Sequence, residues 1–66
     1  MQIGDMDLSV LEADTLDRCG VGMYAVKGQN RTTYTFYWDY DKKIICSDLT
    51  EEQAQGILTM LVYLAE

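Results

Sequence analysis

Arg31-Thr32-Thr33-Tyr34-Thr35-Phe36-Tyr37-Trp38-Asp39-Tyr40 is the densest run of aromatic and β-branched residues in the chain. These residue types fit a pleated, half-buried surface. Side chains alternate between the two faces of a strand. Tyr34, Phe36, Trp38 and Tyr40 therefore share one face, and Thr33, Thr35, Tyr37 and Asp39 share the other. The pattern predicts the central strand of a small sheet, with Tyr34, Phe36 and Trp38 in the core.

Working outward, Val21-Gly22-Met23-Tyr24-Ala25-Val26-Lys27 reads as the preceding strand. Gly28-Gln29-Asn30 is the turn between them, with Gly and Asn able to take positive φ. Downstream, Tyr40-Asp41-Lys42-Lys43 reads as a second turn and Lys43-Ile44-Ile45-Cys46 as a third strand. The result is an antiparallel three-stranded meander. Lys42 and Lys43 suit an edge, where lysine discourages stray pairing.

Thr50-Glu51-Glu52-Gln53 opens a helix. Thr50 is an N-cap and Gln53 completes a capping box. Glu51 and Glu52 complement the helix dipole. Ala54, Ile57, Leu58, Leu61, Leu64 and Ala65 recur at helical spacing, so a helix over about 51–65 should pack this stripe on the sheet. Residues 6–18 admit two readings. Met6, Leu8 and Val10 alternate as in a strand. Ser9-Val10-Leu11-Glu12 has the form of a capping box, Arg18 suits a last turn and Gly20 a helix end. The second reading, a short helix over about 10–18, accounts for more residues, although Asp14 and Thr15 weaken it. The first five residues are expected to be loose. The fold class is thus α+β, a single domain spanning residues 1–66.

A 66-residue chain has a small core, and small scaffolds usually add a disulfide, a metal or a partner chain. Cys19 and Cys46 form no dense framework and are expected to be reduced. There is no histidine and no C-x-x-C pair, so no metal is expected. Association remains by elimination. The last helix supplies a surface for it. Tyr63 falls nearly opposite the core stripe, Met60 and Val62 flank it, and Gly56 allows close approach. These four residues are the expected interface of a homodimer. The sheet's second face, with Tyr37, Met23 or Tyr24, and Ile45 or Cys46, is also apolar. Either the N-terminal segment covers it or a partner does.

The net charge of -6 is uneven. Asp5, Asp7, Glu12, Asp14 and Asp17 against Arg18 give residues 1–20 a charge of -4. Glu51, Glu52 and Glu66 give residues 50–66 a charge of -3, and the middle is +1. This balance disfavours nucleic acid and favours a protein with a basic surface. Asp5, Asp7, Asp14 and Asp17 are the expected recognition residues. Without histidine, the commonest general base and every Ser-His or Cys-His pair are missing, so no enzyme and no cofactor are expected. The pairs Asp5/Asp7 and Asp39/Asp41 match no calcium loop, and Gly20-Val21-Gly22 matches no nucleotide fingerprint. An aromatic stacking platform for single strands is opposed by the charge. Met1-Gln2-Ile3-Gly4-Asp5 lacks the regions of a signal peptide, and no apolar run reaches bilayer length. A soluble, cytoplasmic protein without membrane partners is expected.

No motif identifies a family. In length, acidity, compactness and lack of catalytic residues the chain resembles the small inhibitors that phages and mobile elements encode against host defence machinery, including anti-CRISPR proteins. That resemblance implies a non-enzymatic inhibitor of a nucleic-acid-handling complex. The alternative is a small homo-oligomeric module that binds a small ligand or serves an assembly.

Overall fold

Strand β4 (Thr32–Trp38) runs between β3 (Val21–Lys27) and β5 (Ile44–Leu49) in an antiparallel meander. The computed structural model describes residues 1–65. Around the meander lie α1 (Val10–Cys19), α2 (Glu51–Ala65) and an N-terminal hairpin of β1 (Gln2–Ile3) and β2 (Met6–Asp7).

Register sets the core. Met23 stands opposite Phe36 and Ala25 opposite Tyr34, so these side chains share one face. Tyr34 and Phe36 are each 1% exposed. Leu16 from α1 and Ala54 and Leu58 from α2 close over them, with Val21, Met23, Met6 and Leu8. Burying each large side chain contributes roughly 1.5–3 kcal/mol. The two helices lie side by side on this face of the sheet. The N-terminal segment therefore does not cover the second face, on which Tyr24 and Val26 stay exposed.

Trp38 departs from the expected core. Trp38 ends β4 opposite Val21 and is 43% exposed, and Tyr40 lies in the following turn at 86%. The cause is the turn: Lys42 N–H donates to the Trp38 carbonyl, Trp38 N–H donates to the Lys43 carbonyl, and Lys42 takes φ 62°. The chain has left the ladder before Tyr40 can alternate inward. The 28–31 turn closes through Gly28 N–H donating to the Arg31 carbonyl, and neither Gly28 nor Asn30 takes positive φ.

The third strand runs further than the expected 43–46. Tyr37 pairs with Ile44, Phe36 with Cys46 and Tyr34 with Leu49. Two shifts in register let β5 carry extra residues, and Asp48 takes φ 56°. Bulges of this kind turn a strand and disturb its free edge. Here they aim Cys46 and Leu49 at the core and leave both Ile44 and Ile45 exposed.

Both readings of the N-terminal segment hold in part. Met6 and Leu8 alternate inward around Asp7, and the helix begins at Val10. Ser9 Oγ accepts from Glu12 N–H while Glu12 Oε1 accepts from Ser9 N–H, and Gly20 caps the other end in the left-handed region. The Thr15 hydroxyl donates to the Leu11 carbonyl, which satisfies it inside the helix. The first residues are not loose. Leu8 N–H donates to the Met1 carbonyl, and the Tyr34 hydroxyl accepts from Asp5 N–H. Gly4, at φ +57°, lies so close to Ala25 and Tyr34 that a Cβ there would meet the Ala25 Cβ at 2.7 Å.

Candidate functional site

The first turn of α2 is held by a second capping box. Thr50 Oγ1 accepts from Gln53 N–H, and Gln53 Oε1 accepts from Thr50 N–H. This fixes Glu51 and Glu52 at the helix N-terminus, where the backbone dipole favours negative charge. Gln55, one turn on, donates through Nε2 to Glu12 Oε2 at 2.6 Å. That bond ties the start of α1 to the start of α2. The Ser9 backbone N–H, and then the Gln55 amide, hold the Glu12 carboxyl below its usual pKa.

The hairpin then brings Asp5 and Asp7 to the same place. Asp5, Met6, Asp7, Glu51, Glu52 and Gln55 line an open groove of about 400 Å³. The Asp5 carboxylate is oriented by the Thr32 hydroxyl, which donates to Oδ2 at 3.2 Å. Among the described residues no lysine or arginine lines this groove, and the cation beside it is the Met1 ammonium, 3.6 Å from Asp7 Oδ1. Four carboxylates from opposite ends of the chain thus face one concavity, and like charges held together make the local potential more negative. The hairpin and α1 carry the -4 segment, α2 carries Glu51 and Glu52, and the meander carries the +1 segment.

Asp14 and Asp17 do not join this groove. Asp14 pairs with Arg18 at 3.1 Å. Asp17 lines a separate depression with Gly20, Val21 and Asp39. The four expected aspartates are therefore split. Glu51 and Glu52 take the places of Asp14 and Asp17; their helix-capping role in the sequence hides their placement in a site.

On α2, Met60 and Tyr63 are 62% and 77% exposed, and nothing stands within 4 Å of a Cβ placed on Gly56. Val62 is half-buried and belongs less to that surface than expected. Leu64 and Ala65, assigned to the core stripe, are exposed. The second face of the sheet holds a shallow hollow of about 220 Å³ between Tyr24, Tyr37, Lys42 and Ile44. The Tyr24 and Tyr37 rings lie 5.8 Å apart, and Lys42 Nζ stands 5.6 Å from the Tyr37 centroid. Tyr37 leans over Gly22, where a side chain would collide with its ring.

Cys19 is exposed and Cys46 half-buried, and both are free thiols. Among the described residues no three Cys, Asp or Glu side chains are placed to hold a metal. No described helix is long and apolar enough to cross a membrane. No protein-family model, no curated protein and no solved structure matches the chain.

Proposed function

We propose that this is a non-enzymatic, cytoplasmic protein-binding protein whose acidic groove engages a basic protein surface, as an inhibitor of a nucleic-acid-handling complex would. The observation that carries the reading is the convergence of Asp5, Asp7, Glu51 and Glu52 on one concavity. A surface built for phosphate backbones carries a row of basic residues; a groove of carboxylates suits the protein that binds those backbones. Electrostatic steering of this kind raises association rates and falls with salt.

The test uses immobilised protein and a panel of purified nucleic-acid-binding enzymes, with duplex DNA as competitor. Wild type should capture a member of the panel, DNA should displace it, and the affinity should fall as salt rises. The variant D5N/D7N/E51Q/E52Q should keep the fold and lose the capture. Equal capture by that variant, or no capture by wild type, overturns the reading.

A second reading rests on the exposed Met60 and Tyr63 beside the open Gly56. In it, α2 pairs with its copy across a two-fold axis, so that each substitution acts twice. Sedimentation at micromolar concentration should then show a dimer that Tyr63→Glu converts to a folded monomer. A monomeric wild type removes it.

A further inference from the structure

Strand β3 is one edge of the sheet. Two bonds fix the phase of its pairing with β4. Asp39 N–H donates to the Gly20 carbonyl, and Gly28 N–H donates to the Arg31 carbonyl. Hydrogen-bonded pairs alternate along an antiparallel ladder, so Gly22, Tyr24 and Val26 bond to β4. Val21, Met23, Ala25 and Lys27 then point their N–H and C=O groups outward. Among the described residues no other element takes these groups up.

The two edges of the sheet differ. β5 is bulged twice and has a left-handed Asp48, which spoils it as a template. β3 pairs in unbroken register from Val21 to Lys27 and has no proline. Its only charged residue is Lys27, at the end.

Two depressions adjoin this edge. One, of about 440 Å³, lies between residues 2–4 of the hairpin and Met23, Ala25 and Lys27. The other, of about 240 Å³, is lined by Ile3, Leu16, Val21 and Met23, with Asp17 and Asp39 also on its wall. Ile3 and Met23 belong to both, so the depressions are neighbours. A strand added to β3 would send alternate side chains to the core side, one into each depression.

We propose that the β3 edge is a strand-addition site for an extended segment of another protein. The segment has two apolar residues separated by one residue, runs antiparallel to β3, and has a basic residue just beyond them. Main-chain bonds to Val21, Met23, Ala25 and Lys27 supply affinity, and the two depressions supply specificity. An antiparallel segment ends at Val21, where Asp17 receives its basic residue; Asp39 beside it is already paired with Lys42 at 3.1 Å. Charge selects the occupant. A second copy would bring the same -6 and its own hairpin to the same edge, whereas a basic segment is attracted. This deepens the proposal of a protein binder. The two fail separately, because the carboxylate variant above leaves the β3 edge unchanged.

The experiment is amide hydrogen exchange by NMR on the full chain, with the peptide acetyl-Thr-Val-Thr-Val-Thr-Lys-Lys-amide as probe. At free peptide about ten times Kd, the amides of Val21, Met23, Ala25 and Lys27 should exchange about tenfold more slowly. Those of Gly22, Tyr24 and Val26 should already be slow without peptide. The valine amides of the probe face β3, so N-methylating them should abolish binding; N-methylating the threonines should not. Lys27→Pro removes an outward donor without breaking the ladder and should weaken binding about fivefold. The inference is overturned if millimolar peptide slows none of the four amides, or if both methylation patterns act alike. It is also overturned if the four amides slow with protein concentration alone, which would place a second copy on the edge.

Discussion

Tyr34 and Phe36 are sealed in the core, while Trp38, two residues further along the same face, is 43% exposed. Alternation told the three apart from Tyr37 but could not say where the helices stop covering the face. Phe36→Ala should therefore cost about 3–5 kcal/mol, which in a chain this small removes the cooperative thermal melt. Trp38→Ala should cost roughly 1 kcal/mol, less than full burial of an aromatic side chain would imply, and should keep the melt. Glu12 offers a second measurement at this scale. Its carboxyl is held below its usual pKa first by the Ser9 backbone N–H and then by Gln55. A lowered folded pKa stabilises the fold above the unfolded value, and that contribution is lost as pH falls through the folded value. Wild type should therefore melt above Glu12→Gln at neutral pH. The gap should be complete above about pH 4.3 and should close as pH falls below it. The capping partner Ser9 was legible in the sequence. Gln55, far along the chain, was not.

Among the elements, the two helix starts were the most legible, because a capping box is local: donor and acceptor lie three residues apart. Helix ends and strand ends were less so. The spacing of α2 put Leu58, Leu61 and Leu64 on one stripe, but Leu58 is buried, Leu61 half-buried and Leu64 exposed. The stripe leaves the core toward the helix C-terminus. Leu58→Ala should cost about 2–5 kcal/mol, and Leu64→Ala should stay within about 0.5 kcal/mol of wild type. Urea unfolding of both variants checks the gradient. In β5, periodicity left Ile45 and Cys46 unassigned for a different reason. A bulge adds a residue that pairs with nothing, so counting alone cannot assign the faces beyond it. The left-handed Asp48 is the trace of that event, and an aspartate tolerates such a φ without advertising it.

At the scale of the molecule, Asp5, Asp7, Glu12, Asp14, Asp17, Glu51 and Glu52 lie in the hairpin and helices, and the near-neutral meander forms the sheet. Asp5, Asp7, Glu51 and Glu52 repel one another across their groove. Screening weakens such repulsion, so the melting temperature of wild type should rise as salt is added from a low starting value. In D5N/D7N/E51Q/E52Q, which lacks this repulsion, the melting temperature should rise less with added salt than in wild type. A melting temperature that falls with added salt would mean that the pairing of Asp7 with the Met1 ammonium outweighs the repulsion in the groove.

What the sequence by itself determined here is what depends on neighbours in the chain. Alternation around Phe36, helical spacing around Leu58, the two capping boxes and the turns between strands each need only a few residues, and together they specify an α+β meander with a C-terminal helix. Only the tertiary structure decided which face α1 covers, and therefore that neither helix covers the sheet's other face. It also decided that Asp5 and Asp7 meet Glu51 and Glu52, that Asp14 turns instead to Arg18, and that the β3 edge is regular while the β5 edge is bulged. These outcomes depend on contacts between residues tens of positions apart. Composition and period contain no term for such contacts; packing around Tyr34 and Phe36 sets them.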